Sequence, residues 1–239
     1  PLNFTRYFFK EKGGKRFIVG HHHKTVCDAL DKVLRGECNK LIINIAPRYG
    51  KTELAVKNFI AMGLAINPAS NFIHLSYSSD LAVDNSIAIK DIVNSEAYQR
   101  LFHTRVKYGS DTKAQWDTEQ GGGVYATSTL GQITGFGAGE VDRVDEQGNP
   151  QPYRFAGAII IDDPIKPEDA LSDVVRERVN RRFETTIRNR VNSRNTPIII
   201  IMQRLHEHDL CGYLQKIEPD DWTVVSLPCV TTDAEGHKQ

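Results

Sequence analysis

LIINIAPRYGKTEL, residues 41–54, is the stretch that decides the fold of this chain. A mostly apolar run, Leu41–Ile45, leads into a tight loop, and Gly50-Lys51-Thr52 opens a helical pattern. Strand, loop and helix in this order form the context in which phosphate-binding loops (P-loops) occur. The stretch therefore predicts an α/β domain with a nucleotide site at the end of its first strand.

The residue types of this loop suit a nucleotide phosphate. Backbone N–H groups at the loop and at the helix N-terminus point at phosphate oxygens, and Gly50 lets the backbone approach closely. Lys51 reaches the β- and γ-phosphates, and the Thr52 hydroxyl ligates Mg²⁺. Arg48 adds a second positive group, for which we expect a catalytic role beside that of Lys51. The predicted nucleotide-binding segment is Pro47, Arg48, Tyr49, Gly50, Lys51, Thr52 and Glu53.

One position departs from the strict P-loop pattern, which has a glycine five residues before Gly50. Ile45 stands there instead. Gly-Lys-Thr alone arises by chance often enough to be a weak signal. The apolar strand before it and the helical pattern after it favour the nucleotide site.

An acidic pair follows a second apolar strand, in FAGAIIIDDPIKPED at 155–169. Asp162, at the strand end, is placed to hold Mg²⁺ directly or through water. Asp163 would then lie next to the γ-phosphate and polarise the attacking water. Many such ATPases have Glu at this second position, and Asp is one methylene shorter. The alternative is an Asp that caps a strand-to-loop turn, but the P-loop in the same sheet favours the metal site.

A third apolar strand, Ile198–Met202, ends at Gln203. A side-chain amide at this strand tip can contact the γ-phosphate or the attacking water, so Gln203 is a candidate catalytic residue. His206 and Asp209 follow. For these two, a functional role and a helix N-cap with acidic residues in its first turn remain equally open.

The apolar pattern predicts a mostly parallel central sheet. Runs such as Ile159–Ile161 and Ile198–Ile201 are continuous and β-branched, as in strands buried on both faces. Helical patterns over 52–66, 81–102 and 170–191 alternate with these strands, which indicates βαβ units. Two further strand candidates, Phe72–Ser76 and Val124–Ala126, precede Asp162. That arrangement agrees with P-loop ATPases that have an extra strand between the two motif strands.

Composition limits the function classes. The 239 residues fit one large α/β domain or two small ones. The 30 basic and 30 acidic residues balance, so any contact with DNA must come from a local patch. No apolar run is long enough to span a bilayer. The four cysteines lack metal-site spacing and are expected to be reduced thiols.

Five segments together resemble the large terminase subunits of tailed bacteriophages, and the resemblance extends from about Phe17 to Leu227. The segments are IAPRYGKTEL, HLSYSSDLAVDNS, GQITGFGAG, GAIIIDDPIKPEDA and IIIIMQRLHEHDLCGYL. The resemblance implies a RecA-like P-loop NTPase core, a three-layer αβα sandwich, over residues 41–228. Residues 1–40 would be a lead-in that packs on this core, 139–154 an exposed insertion, and 229–239 a linker toward a nuclease domain outside this chain.

The same resemblance implies a function. ATP and Mg²⁺ would be the cofactors of a motor that translocates double-stranded DNA into a procapsid through the portal protein. A small terminase subunit would recognise the viral DNA, and the motor would act as a homo-oligomeric ring, often of five subunits, although the isolated chain can be a monomer. The expected location is the host cell cytoplasm, with no membrane contact. Nuclease activity is not expected from this chain.

One residue departs from the family pattern. Related sequences often have Arg between two glycines, where this chain has Phe136. Such an arginine acts in trans on the ATP of a neighbouring subunit, and Phe136 cannot. Arg143, Arg154 and, in cis, Arg48 are the candidate substitutes, and the sequence does not choose among them.

Two other functions and two weaker signals stay open. A helicase-type ATPase core would need a second core in the chain, and a docking module with silent ATPase would explain the missing glycine and Phe136. The arginines of residues 170–194 indicate a solvated basic face rather than a contact with DNA or a neighbour. Arg16 and His22, upstream of the loop, are candidates for a position near adenine.

Overall fold

The computed structural model describes residues 1–133 and 135–230, so most of the expected linker, 231–239, lies outside the described residues. The strands are β1 (Lys40–Ile45), β2 (Asn71–Ser76), β3 (Val106–Asp111), β4 (Gln115–Thr118), β5 (Gly123–Ser128), β6 (Ile159–Asp162), β7 (Ile198–Met202) and β8 (Thr223–Leu227). The α-helices are α1 (Leu2–Gly13), α2 (His21–Leu34), α3 (Phe59–Ile66), α4 (Ser79–Asn94), α5 (Glu96–Leu101), α6 (Asp173–Arg182) and α7 (Leu210–Ile217).

The eight strands form one sheet in the order β3-β4-β5-β2-β6-β7-β1-β8. Only β4 runs against its two neighbours, so the predicted mostly parallel sheet is confirmed. The strand between the motif strands β1 and β6 is β7, which pairs with both in parallel through Ile198. Strand β7 comes from late in the chain, whereas β2 and β5 lie on the side of β6 that faces away from β7. Because parallel strands end at the same sheet edge, this order places the loops after β1, β6 and β7 side by side.

Apolar side chains on both faces of the sheet form two cores. Leu41 and Ile43 of β1 point into one core, which α1 to α5 cover. Ile42 points into the other core, which α6, α7 and the turn after α6 cover. The period-two alternation of a strand produces this division. The predicted three-layer αβα sandwich is therefore confirmed, and α1 and α2 of the lead-in pack on the first core.

The helix after the P-loop is not a regular α-helix throughout. A π-helical stretch, Glu53–Asn58, follows its first residues and continues into α3. The buried Asn58 side chain donates to the Glu53 carbonyl and carboxylate at 2.8 Å each. The expected helix over 52–66 is thus present, with a wider turn directly behind the loop, a feature that often accompanies functional sites.

The prediction of a single helix over 170–191 is wrong in its extent. The helix α6 begins at Asp173, a π-turn follows at Phe183–Ile187, and a 3₁₀ turn ends at Arg190. Leu171 lies before the helix and is 80% exposed. Apolar residues spaced by four drift around an α-helix of 3.6 residues per turn. The wider π-turn compensates for this drift and keeps Phe183 and Ile187 in the core.

Three of the seven arginines in this region have structural partners. The buried Arg176 donates to the Ala170 carbonyl at 2.5 Å, and Arg182 donates to the Gly131 carbonyl at 2.5 Å. Arg188 pairs with Glu184 at 2.5 Å and Glu218 at 2.7 Å. The basic face is therefore smaller than the sequence indicates.

Residues 139–154 lie mostly at the surface. Their centre folds back on itself through an antiparallel bridge between Val144 and Pro150. Within the described ranges, each helix is too short or too polar to cross a bilayer.

Candidate active site

The P-loop has the backbone conformation of an anion cradle. Arg48 has φ 66° and Gly50 has φ 76°, whereas Tyr49 between them has no positive φ. Such alternation turns successive N–H groups toward one concave side. The following helix starts here, since the Leu54 N–H donates to the Gly50 carbonyl at 3.0 Å. The loop therefore fits a phosphate, even without the glycine that Ile45 replaces.

Lys51 and Asp163 form an ion pair at the centre of the site. The Lys51 ammonium lies 2.6 Å from Asp163 Oδ1 and 2.5 Å from Oδ2. The Lys51 side chain is 8% exposed and that of Asp163 is 27% exposed. Each charge therefore has its counter-ion inside the protein. A bound phosphate would take over the role of Asp163 as the anion that Lys51 contacts.

Thr52 and Asp162 form the second contact between the two motifs. The Thr52 hydroxyl donates to Asp162 Oδ2 at 2.6 Å. Asp162 is 5% exposed, and its Oδ1 is buried without a hydrogen-bond partner in the described part of the chain. An orphaned carboxylate oxygen beside a hydroxyl suits Mg²⁺, which prefers oxygen ligands and keeps several waters. The residues present thus fit this ion.

Burial makes Asp162 an unusually weak acid. Its removal from water, and next the negative charge of Asp163, raise its pKa to about 6, against opposing effects of Thr52 and Lys51. Two carboxylates this close favour a cation between or beside them. The shift thus marks the position at which a divalent ion would relieve electrostatic strain.

The backbone at Asp163 explains why this position is Asp rather than Glu. Asp163 has φ 46°, in the left-handed region, which Asp and Asn tolerate better than other non-glycine residues. Its N–H donates to the Ile201 carbonyl of β7 at 2.8 Å, and its carbonyl accepts from the Tyr77 N–H at 2.9 Å. The neighbouring strands β7 and β2 therefore hold the strained residue in place.

Gln203 lies next to this pair. Its backbone N–H is 3.4 Å from Asp163 Oδ1. Its side chain is half-buried and makes no hydrogen bond to any residue that the structure describes. The amide is thus available to a ligand. Asp209, in contrast, caps α7 by accepting from the Gly212 N–H at 3.0 Å and is fully buried, so of the two open interpretations the structure supports the cap.

The remaining residues of the predicted segment differ in their surroundings. The Arg48 side chain is exposed and makes no ion pair with the described residues, so its charge is available to phosphate. Pro47 is also exposed. Glu53 turns away from the loop toward Asn58 and Lys57. Tyr49 is 43% exposed, and its ring meets that of His22 edge-on at 5.1 Å.

Phe136, which replaces the family arginine, and two of its three candidate substitutes, Arg143 and Arg154, have their contacts away from Lys51. Phe136 stacks on Tyr125 at 5.6 Å and packs on the second core. Arg143 pairs with Glu140 at 3.0 Å, and Arg154 donates to the Asn67 side chain. Arg154 precedes β6 and Asn67 precedes β2, so this contact lies at the amino edge of the sheet. The P-loop lies at the carboxyl edge.

Two residues at the site, His23 and Phe17, are not among those that the sequence predicts to form it. A Cβ added to Gly50 would lie 3.2 Å from His23 Nε2 and 3.8 Å from Phe17 Cζ, so these side chains support the loop from below. Only the tertiary structure brings them to the P-loop, because no local sequence pattern connects residues so far apart in the chain.

Replacement of Asp162 by Asn is expected to stabilise the protein without nucleotide at pH 7.5, by roughly 2 to 3 kcal/mol. The raised pKa means that the folded protein binds more protons than the unfolded chain between pH 3.8 and about 6. The cost of the buried charge is therefore absent below pH 3.8 and complete above about pH 6. Urea unfolding of the parent and of Asp162→Asn at pH 7.5 and 4.5 measures this difference in the free energy of unfolding. A variant less stable than the parent at both pH values would contradict the assigned cost.

The fold is similar to that of bacteriophage large terminases. The crystal structure of the bacteriophage HK97 large terminase matches 94% of this chain and 43% of its own, with a TM-score of 0.54 and 13% identity. Two crystal forms of the large terminase from a thermophilic bacteriophage, one in complex with ADP, match 82% and 83% of this chain and 44% of their own. Their identities are 14% and 15%, with TM-scores of 0.49 and 0.48.

These similarities extend to part of each terminase only. The chain spans less than half the length of the terminases to which it is similar, and no family model or curated protein matches it. The likeness to the HK97 protein confirms the predicted RecA-like P-loop fold.

Proposed function

We propose that this chain is the ATPase motor domain of a viral large terminase subunit. One observation carries the ATPase part of the proposal. Lys51 contacts Asp163 and Thr52 contacts Asp162, so residues 112 and 110 positions apart form one site at the carboxyl edge of a parallel sheet. Open α/β sheets bind their ligands at this edge. If Asp162 and Asp163 only capped a strand-to-loop turn, neither would need to contact Lys51 or Thr52.

The side chains divide the chemistry of ATP hydrolysis among them. Lys51 neutralises charge on the β- and γ-phosphates, and Asp163, once freed from Lys51, accepts a proton from the attacking water. Gln203 orients that water or contacts the γ-phosphate. Mg²⁺ held by Thr52 and Asp162 would supply positive charge at the phosphates. Arg48, whose charge has no partner in the described chain, acts in cis on the same phosphates.

The terminase part of the proposal rests on the fold likeness to the HK97 protein across 94% of this chain. On that basis, ATP hydrolysis would drive double-stranded DNA through a portal into a procapsid in the host cell cytoplasm. The small terminase subunit and further copies of the chain in a ring would be the protein partners. No nuclease activity is proposed for this chain.

The test is ATP hydrolysis by the purified chain over a protein concentration series, with and without duplex DNA. A specific activity that does not depend on protein concentration is expected, because Arg48 acts in cis and each subunit then holds its own site. A specific activity that rises steeply with concentration would instead mean that a neighbouring subunit contributes to the site, and would overturn the cis role of Arg48. Absence of hydrolysis and of ATP binding under all conditions would overturn the ATPase assignment.

A strand-displacement assay on forked DNA separates a packaging motor from a helicase core. Translocation of duplex DNA without strand separation is expected. Displacement of a strand that depends on ATP would favour the helicase.

A further inference from the structure

Two neighbouring histidines at the start of α2 lie against the P-loop. His22 Nε2 and His23 Nε2 are 3.0 Å apart, and the ring centroids are 3.8 Å apart. His23 is buried beneath Gly50, and the His22 ring meets Tyr49 edge-on. Together the two rings contact both residues that precede Lys51.

The hydrogen bonds determine where the ring protons lie. The Gly20 N–H donates to His23 Nδ1 at 2.9 Å, so Nδ1 carries no proton. Neutral His23 therefore carries its proton on Nε2 and donates it to His22 Nε2. His22 Nε2 is then the acceptor of this contact.

The surroundings oppose a charge on this pair. Burial, and next the charge that His22 would carry, lower the pKa of His23, whereas the Tyr49 backbone raises it. No acidic partner for either ring occurs among the described residues, and the Glu53 carboxylate is already engaged by Asn58 and Lys57. Arg16, Lys24, Arg48 and Lys51 are cationic residues on the segments next to the pair, Asp28 on α2 is acidic, and Lys51 is itself paired with Asp163.

We propose that His22 and His23 are positioning residues which hold the P-loop in its phosphate-binding conformation while His23 is neutral and release it when His23 gains a proton. The inference rests on the proposed function, since it concerns the same nucleotide site. It adds that nucleotide affinity is linked to pH through the lead-in, by residues that do not touch the phosphates.

The loop conformation needs such support. Arg48 has a positive φ without being glycine, and conformations of this kind persist only where the surroundings hold them. A second proton on His23, at Nδ1, would oppose the Gly20 N–H, from which this ring accepts a hydrogen bond. Loss of that hydrogen bond at the start of α2 favours movement of His23 away from Gly50.

The sign of the linkage follows from the lowered pKa of His23. A base whose pKa is lowered in the closed state stabilises that state above its ordinary pKa, 6.5, and the benefit is lost as pH falls below it. Nucleotide affinity is therefore expected to be intact at pH 7.5. At pH 5.5 it falls by up to about tenfold through the protonation of His23.

Binding of ADP with Mg²⁺ at pH 7.5 and 5.5 tests the proposal in the parent and in the double variant His22→Gln, His23→Gln. Gln does not titrate, so the affinity loss at pH 5.5 is expected to be at least about threefold smaller in the variant. Asp162 titrates in the same range in both proteins, and its effect cancels in the comparison. His21→Gln is the matched control, because His21 is exposed in the same triplet and should behave like the parent.

Equal affinity losses in parent and double variant would overturn the inference and leave the proposed function intact. Absence of ADP binding at both pH values in all proteins would overturn the proposed function, and the inference with it. If the double variant does not fold, His23→Asn gives the same comparison, because its Oδ1 can accept from the Gly20 N–H but does not titrate, and a loss as large as that of the parent would again overturn the inference.

Discussion

Replacement of Lys51 by Ala is expected to reduce ATP hydrolysis at least about a hundredfold, the effect of removing a pre-oriented charge from a transition state. The Lys51 side chain is almost fully buried, and the P-loop backbone holds its ammonium group beside the position that a phosphate would occupy. No other lysine lies in the loop. Arg48 carries a charge nearby, but its exposed side chain does not contact Asp163. Steady-state turnover with saturating ATP and Mg²⁺ measures the loss.

Lys40→Ala is the matched control for this experiment. Lys40 begins β1, the strand whose carboxyl end leads into the P-loop, and is ion-paired with Glu218 at 3.0 Å and Asp221 at 2.7 Å. Its loss removes a comparable lysine–carboxylate contact at the opposite sheet edge and should leave turnover unchanged. A Lys51→Ala protein that folds and hydrolyses ATP like the parent would show that the active site lies elsewhere.

Replacement of Asp163 by Asn is expected to lower turnover by about 10² to 10⁴, the typical contribution of a general base, while nucleotide binding is kept. Asn retains the shape of Asp and tolerates the same left-handed backbone, so the fold around φ 46° is preserved. Removal of the carboxylate also frees Lys51 from its counter-ion and reduces repulsion of the phosphates. Nucleotide affinity is therefore expected to be equal or higher, which isothermal titration with ADP and Mg²⁺ measures.

Two further variants distinguish a chemical role of Asp163 from a structural one. Asp163→Glu restores the carboxylate but disfavours the left-handed backbone by about 1 kcal/mol, so partial activity and lower stability are expected. Asp173→Asn is the control, because Asp173 is 82% exposed, pairs with Arg176 and lies outside the site. Loss of nucleotide binding in Asp163→Asn, rather than of turnover, would mean that Asp163 holds the loop and does not act on water.

Local patterns in the sequence predict the elements of the site well. The three predicted strands are all present: Gly50 lies in the loop after the first, Asp162 ends the second, and Gln203 directly follows the third. Strand, loop and helix depend on near neighbours in the chain, through side-chain periodicity and backbone hydrogen bonding. The α/β class and the parallel sheet follow from the same signals.

The arrangement of these elements does not follow from such patterns. The placement of β7 between β1 and β6 brings Gln203 next to Asp163, although the strands that precede Asp162 in the chain are β2 and β5. The break in the helix over 170–191 and the cap formed by Asp209 also depend on what packs against each segment. Arg154 lies at the edge opposite to the P-loop for the same reason.

The sequence by itself thus determined which residues carry the predicted chemistry, because residue type and strand-end position are local properties. Only the tertiary structure decided their partners: Asp163 for Lys51, Asp162 for Thr52, and His23 beneath Gly50. These contacts join parts of the chain that meet only after the sheet has formed and the helices have packed on it. Their energies come from burial and from long-range pairing of charges, which no short stretch of sequence records.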